Sequence, residues 1–379
     1  MKQIIKTLAS LKITLFGLFG YLLIVFFGTI AQVKLGIYYA QKEYFSSLFV
    51  WKTFGNINLP ILPGGLLLGT VLTINLIAAI IHNKLYRFKK LGLFFVHFGL
   101  IVLLAGGAIT QFYSVESQLI IDEGATKNYS QDYRYSELVF IDQSDKDTDF
   151  IVAIPDSLLK DGAKLTHPDL PFNVKIQNYY KNAYVSMEKV SPEQKKVEGI
   201  TKGMGKNMFL LPLPLVTQDD LVDTPAAIIT LSTETANLGT WLISERFGQA
   251  QTVETPEKSY LIELRKRRYY TAYTLFLKDF RFDRYLGTEI PKNYSSAMHL
   301  LDPRTNEERD VLVYMNHPLR YEGKTYYQAS FGQDEKTSVL QVVENPGWFF
   351  PYLSCTIISL GLLWHFFLSL KRFTERKVS

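Results

Sequence analysis

Leu91-Gly92-Leu93-Phe94-Phe95-Val96-His97-Phe98-Gly99-Leu100-Ile101-Val102-Leu103-Leu104-Ala105-Gly106-Gly107-Ala108-Ile109 is an apolar run whose single ionisable side chain is His97. As a helix rising about 1.5 Å per residue, it matches the roughly 30 Å hydrocarbon core of a bilayer. Read as a membrane span, it organises the rest of the chain. Lys84, Arg87, Lys89 and Lys90 crowd its start, and a long segment rich in alternating residues follows it.

Three other runs qualify as spans: roughly Ile13–Ala31, Gly65–Ile81 and Trp348–Leu370. For the first, the alternative is a secretory signal; the length of the apolar run and the lack of an Ala-x-Ala site favour a span, and cleavage there would leave the topology unchanged. Lys2, Lys6 and Lys12 precede it, while Lys371, Arg372, Arg376 and Lys377 follow the last span. By the positive-inside rule these clusters and the Lys84–Lys90 loop are cytoplasmic. The Lys34–Pro63 loop and the Gln111–Gly347 segment then lie outside, and both termini inside. The expected organisation is three spans in residues 1–110, an extracytoplasmic domain in 111–347, and a final span with a basic tail in 348–379.

The external segment alternates with period two. Strands are expected at Ser117–Ile121, Leu138–Ile141, Phe150–Ile154, Phe172–Tyr180, Ala226–Leu231, Trp241–Ser244, Tyr260–Leu264, Thr274–Phe282, Met298–Leu301, Val311–Tyr314, Tyr326–Ser330 and Val339–Val343. Turn signals such as Asp122-Glu123-Gly124, Asp161-Gly162 and Asp302-Pro303 separate them. The fold class is therefore membrane α plus all-β: four transmembrane helices, with a large antiparallel β-sandwich or barrel-like domain inserted between the third and fourth. Two stretches break the alternation. Met208–Leu215 carries two prolines, which argues against a central strand; it is either buried under a sheet or an exposed patch for lipid or a partner. Arg265-Lys266-Arg267-Arg268 reads as a solvated, charge-guarded strand edge, or as a site of attraction to anionic lipid or carboxylates.

Composition removes several functions. A formal net charge of +5 in 379 residues, explained by the cytoplasmic anchors, gives nucleic-acid binding no support. The single cysteine, Cys355, lies in the last span. An external domain without cysteine has neither disulfides nor a Cys-x-x-Cys redox motif, and no Cys-x-x-Cys-His for attaching haem to itself.

The histidines carry the chemistry. Two of the six, His97 and His365, lie inside spans, where an ionisable group is a functional candidate because its desolvation is costly. His97 is about 10 Å of helix past Lys90, and His365 about 9 Å before Lys371. That places both at similar depth in the cytoplasmic half. Imidazole is a usual axial ligand of haem iron, and Phe94, Phe95, Phe98, Trp364, Phe366 and Phe367 offer flat apolar walls. The pair suits a b-type haem; the bland alternative is an interhelical hydrogen bond. Gly99 and Gly106, seven residues apart, lie on nearly one face and let a neighbouring helix or macrocycle come close. Asn75, mid-span, is expected to bond a neighbouring helix, and His82 to be solvated. Outside, His167, His299 and His317 show no metal-ligand spacing. His317 reads as a turn residue, with contact to haem or apoprotein as the alternative.

Met315-Asn316-His317-Pro318-Leu319 leads through Arg320-Tyr321-Glu322-Gly323 to Tyr327-Gln328-Ala329-Ser330-Phe331. This stretch resembles the ResB (CcsB) family, the membrane subunit of System II cytochrome c maturation. The likeness runs nearly the whole chain: Gly28-Thr29 with Gln32, Tyr44-Phe45-Ser46, Asn75-Leu76, His97-x-Gly99 with Gly106-Gly107, Glu116-Ser117-Gln118-Leu119, Glu123-Gly124, Gly287-Thr288-x-x-Pro291-Lys292 and Asn345-Pro346-Gly347. The resemblance implies a protein of the bacterial inner membrane that pairs with a ResC (CcsA)-like subunit. Together they move haem across the membrane, keep its iron reduced and join it to apocytochrome c. It implies a transmembrane haem ligand at His97, its opposite ligand supplied by the partner rather than by His365. The ResC-type Trp-rich motif is absent from this chain, so its expected role is a non-catalytic or co-catalytic subunit of a cytochrome c synthase. Two other readings stay open: a b-haem electron-transfer subunit of a quinol-linked complex, and a non-haem scaffold.

Overall fold

The computed structural model describes residues 2–145, 148–218, 221–256, 258–287, 291–332 and 336–378. Thr288 and the two residues after it, part of the Gly287–Lys292 motif, fall outside these. The chain divides into two compact units. One comprises Met1–Val115, Thr217–Asp219 and Glu344–Ser379; the other comprises Glu116–Val216 and Asp220–Val343.

Among the described residues the first unit holds five α-helices: α1 (Lys2–Leu8), α2 (Leu11–Ala40), α3 (Gly65–His82), α4 (Leu91–Tyr113) and α5 (Phe350–Val378). Among the described residues four helical segments are long and apolar enough to cross a membrane, one of them running from α1 through α2. The break between α1 and α2 frees backbone carbonyls. Asn75 of α3, 3% exposed, satisfies them: its Nδ2 donates to the Leu8 and Ser10 carbonyls at 2.6 and 3.2 Å, and its Oδ1 accepts from the Thr14 hydroxyl at 2.7 Å. The mid-span asparagine thus bonds neighbouring helices, as its position led us to expect. Gly17 and Gly20, three apart on α2, let Leu72 and Leu68 of α3 close in. α2 runs past the expected end of its span, and Gly36 interrupts it with a left-handed φ of 71°. The Lys34–Pro63 loop is more ordered than its sequence suggested. It forms one π-helical turn (Gln41–Phe45) and a hairpin of β1 (Phe49–Phe54) and β2 (Ile57–Pro63).

The second unit is built from β3 (Val115–Asp122), β4 (Thr126–Asp142), β5 (Phe150–Pro155), β6 (Lys164–Leu165), β7 (Asn173–Tyr180), β8 (Ala183–Ser186), β9 (Lys195–Lys196), β10 (Phe209–Pro212), β11 (Ala226–Ser232), β12 (Asn237–Ser244), β13 (Gln251–Glu254), β14 (Ser259–Arg284), β15 (Pro291–Asp302), β16 (Glu307–Tyr314), β17 (Leu319–Tyr321), β18 (Lys324–Phe331) and β19 (Thr337–Glu344). Ten strands make one antiparallel sheet in the order β16-β15-β14-β4-β3-β19-β18-β17, with β5 and β13 added to β4 and β14. Its two ends, β16 and β17, approach one another, so the sheet is a nearly closed barrel. Leu275, Leu277, Met298, Leu300, Val313 and Leu340 fill its inside. A four-stranded sheet, β12-β11-β7-β6, packs over the far halves of β4 and β14 through Phe140, Phe172, Ile229 and Ile262. Its other face is covered by a three-stranded sheet, through Ala226, Ile228, Val185 and Leu210. Buried on both faces, β11 reads as the continuous apolar run Ala226-Ala227-Ile228-Ile229 rather than as an alternation.

Each expected strand falls within a real one, apart from Phe172, which precedes β7. Two of them, Tyr260–Leu264 and Thr274–Phe282, are parts of the single strand β14. Two readings need correction. Phe209–Pro212 is a strand, and the central one in the order β8-β10-β9. Proline is accommodated because β9 reaches only Phe209 and Leu210, while Pro212 pairs on the β8 side alone. The segment is also neither wholly buried nor wholly exposed: Met208 and Leu210 are core, Leu213 and Leu215 exposed. The second correction concerns Arg265–Arg268, which lies in the middle of β14, between the two hydrophobic cores: it pairs with β4 on one side only, as an edge would, but Arg265 is buried and the other three are half-buried rather than solvated.

Candidate functional site

α4 and α5 pack antiparallel along one glycine stripe. A Cβ on Gly92 would stand 2.8 Å from the Gly361 carbonyl and the His365 backbone; on Gly99 it would stand 2.6 Å from Ile358; on Gly106 it would collide with Phe350. Glycine every seventh residue therefore lets the chain's own last helix approach. The face that sequence offered to a neighbouring helix or macrocycle is taken by α5.

His97 lies two residues before Gly99, hence about 160° round α4, on the side away from α5. It is half-buried. Its Nδ1 is 2.8 Å from the Leu93 carbonyl one turn back. A carbonyl only accepts, so Nδ1 carries the proton and donates it. The lone pair of the neutral ring is then on Nε2, which points away from the helix backbone. Metal-ligating histidines are commonly held this way, with one nitrogen tied to a backbone carbonyl and the other presented to the metal. Phe94 and Phe98 stack beside it, their ring centroids 5.9 Å apart and their planes within 6°. This side chain and its surroundings fit one axial position of a haem.

His365 is not brought opposite His97. Its backbone and Cβ pack on Gly92, and its ring is exposed. His97 is five residues further along α4, about 7.5 Å of rise. The two residues therefore stand more than a helical turn apart along α4. Equal depth, inferred from distances to the basic clusters, fails because the glycine register sets α5 against α4 independently of where the lysines begin. His82, the last residue of α3, is exposed.

His317 closes a turn. Its N–H donates to the Tyr314 carbonyl at 2.9 Å, and Asn316 takes the left-handed φ of 62° that a type II turn requires at its third position. The imidazole stacks on Tyr314 at 4.6 Å, exposed to solvent. A pocket of about 300 Å³ opens beside the turn, lined by Arg309–Leu312 and His317–Arg320. His299 bridges Asp310 (2.8 Å) and Glu308 (3.1 Å) on the outer face of β15 and β16. His167 is a half-open turn residue next to Asp169.

Of the two readings of Arg265–Arg268, attraction to carboxylates holds, but inside the β unit, where sequence did not place it. Arg265, 6% exposed, bonds Glu137 at 3.0 Å, Glu263 at 2.8 Å and the Tyr270 hydroxyl at 3.2 Å. Lys266 reaches Glu245 at 3.3 Å and the Asp223 carbonyl at 2.9 Å. Burial pushes the Glu245 carboxyl up, against the pull of Lys266. Arg267 and Arg268 lie over the rings of Tyr135 and Tyr129. The acidic partners on β4, notably Glu137, were the available signal, since opposite charges across a strand pair stabilise it.

These features define a membrane-anchored β-domain protein with an imidazole presented from a membrane helix. The sequence pattern of the ResB-like family matches residues 84–186 and 235–339, more than half of the chain, and the chain belongs to that family. Both His97 and His317 lie within the matched residues, and His365 outside them. The chain is also similar to Protein NrfI of Wolinella succinogenes, 25% identical over 307 residues, which cover 78% of this chain and 29% of that protein. It thus spans less than a third of that relative's length.

Proposed function

We propose that this protein is the ResB-like subunit of a System II cytochrome c maturation complex. In this reading it helps carry haem b across the bacterial inner membrane and presents it for attachment to apocytochrome c. Membership of the ResB-like family supports the class of process. The observation that carries the residue-level reading is the His97 imidazole, its Nδ1–H tied to the Leu93 carbonyl and its Nε2 presented away from α5. Haem, when bound, supplies the iron that Nε2 ligates and the vinyl groups that the complex joins to cysteine. Leu93 fixes the tautomer, while Phe94 and Phe98 offer an apolar wall. With α5 packed on the opposite side, the face bearing His97 is left for a ResC-like partner, which would supply a second imidazole to the haem. The β unit is placed outside and both termini inside, from the basic clusters at the helix ends.

The test is the absorbance spectrum of the purified chain, alone and with a co-expressed ResC-like partner. A bis-imidazole haem spectrum that requires the partner is expected. His97→Ala should lower haem occupancy without lowering protein abundance, and added imidazole should restore part of it by filling the vacated position. Normal haem content in an abundant His97→Ala complex would remove the ligand role. Stoichiometric haem in the chain alone would favour electron transfer instead, and haem in neither preparation would favour the scaffold reading.

A further inference from the structure

The barrel-like sheet does not close where its two end strands meet. Among the described residues β16 pairs only with β15, and β17 only with β18. β16 and β17 are consecutive in the chain and turn back on one another at Tyr314–His317, as a hairpin would. The hairpin makes that single bridge and then splays. Proline has no N–H to give to a ladder, so pairing is lost at Pro318, directly after the bridge. The result is the pocket of about 300 Å³ between Arg309–Leu312 on one side and His317–Arg320 on the other.

Side chains hold this gap open. The Tyr321 hydroxyl shares its one proton between Asp302 at 3.0 Å and Glu307 at 3.1 Å, which ties β17 to the β15–β16 hairpin without main-chain pairing. The Tyr321 ring is fixed edge-on against Tyr273 at 4.8 Å. Arg309 bonds Glu307 at 2.7 Å and reaches over the Tyr321 ring, 6.0 Å from its centroid, at the far end of the gap. β17 has three residues against eight in β16, so most of the β16 edge would face the gap even if the bridge were extended. Exposed Leu312, Tyr314 and Met315 stand along the rim.

An unpaired strand edge recognises main chain. Its alternate N–H and C=O groups accept any extended backbone laid alongside, and side-chain pockets then bias the choice. Natural edges are normally covered, shortened or charged against such pairing. This edge is charged at Arg309 and Asp310, but at Val311 and Leu312 it is left open over the pocket, with the half-buried Tyr321 set against the buried Tyr273, an arrangement that spares a ligand the cost of opening it. We propose that the seam between β16 and β17 is a site of β-strand addition that takes a short extended segment of another, unfolded polypeptide. The segment pairs with the free edge of Arg309–Leu312 and sets its apolar side chains on Leu312 and Tyr314.

The experiment uses the full chain in lipid nanodiscs, prepared without added haem, so that the seam and the haem reading are tested separately. The probe is a fluorescent peptide spanning an apocytochrome haem-attachment segment with both cysteines alkylated, beside a scrambled peptide of the same composition. Both should bind, because main chain is what is read. N-methylation at alternate residues removes hydrogen-bond donors while keeping every side chain. It should weaken binding roughly tenfold or more, the equivalent of losing one or two net hydrogen bonds. A benzophenone placed mid-peptide should cross-link within residues 309–320. Absence of binding, indifference to N-methylation, or cross-links that map elsewhere would each overturn the proposal. So would chain-to-chain cross-links through this edge that the peptides fail to displace, since a second copy would then be the occupant.

Discussion

The membrane-spanning helices and the β unit solve close packing by opposite means. In the helices the contacts rest on side chains that are missing: Gly92, Gly99 and Gly106 admit α5, and Gly17 and Gly20 admit α3. Asn75 contributes a buried polar network there. In the β unit, charges are taken inside and paired: Arg265 with Glu137 and Glu263, and Asp302 with Arg304. The contrast follows from solvent. Lipid tails exert no hydrophobic drive between helices, so proximity and dispersion must do the work. Water does drive burial of the sheets, and that drive can carry a charge inside if its partner goes with it. One half of the molecule should therefore fail when something is added, and the other when something is removed.

The largest effect is expected from Arg265→Met. It leaves Glu137 buried without its partner, which costs on the order of 3–5 kcal/mol. Chemical denaturation followed by near-ultraviolet circular dichroism should show the loss, and adding Glu137→Leu should recover most of it. A stable single mutant would mean that water reaches Glu137 and that the pair is not what bridges the two cores.

Gly92→Leu tests the opposite half. The added side chain meets the α5 backbone rather than a movable side chain, and overpacking of this kind costs about 1–3 kcal/mol. Cysteines introduced on the facing sides of α4 and α5 should cross-link in the parent and lose that reaction in the variant. Undiminished cross-linking would show that bulk is tolerated and that the glycine stripe does not set the helix register.

A smaller effect is expected from acid. Arg304 holds the Asp302 carboxyl down at about 2, helped by the Tyr321 hydroxyl, and Lys258 together with Ser144 does the same for Asp142. Folded values below the unfolded carboxylate value of about 3.9 mean that this stabilisation is fully present above pH 4 and is lost as pH falls through 2. The β unit should therefore unfold more readily at pH 2.5 than at pH 5. Asp302→Asn should flatten that dependence; an unchanged slope would relieve Asp302 of the role.

Much of this was legible in sequence because solvent writes the pattern. Membrane spans announce themselves by length, and half-buried strands by alternation, so Leu91–Ile109 and Val311–Tyr314 could be found in advance. His97 stood out because lipid leaves so few reasons for a histidine. Registers between elements were not legible. The depth of His365 depends on where Gly92 meets Gly361, a tertiary contact that no local window contains. Arg265 looked solvated because its neutralising partner, Glu137, is 128 residues away in the chain. Pro212 looked excluded because the shortness of β9 could not be foreseen. The seam at Pro318 was visible as a turn but not as an opening, since sequence does not say that β16 and β17 are the ends of one sheet.

The neighbouring placement of β3 and β19 has a consequence for how this protein is made. β3 is the first strand of the β unit and β19 the last, and they lie side by side, with the Thr337 hydroxyl donating to Asp122 at 2.6 Å. During synthesis, the growing chain holds one raw edge of the sheet from residue 122 until residue 344 has emerged. No local pairing can protect it, and long-range closure of this kind is intrinsically slow. For that interval β3 is open to pairing with the wrong partner. Masking the β3 edge, or keeping its exposure brief, would therefore limit mispairing while the chain is made.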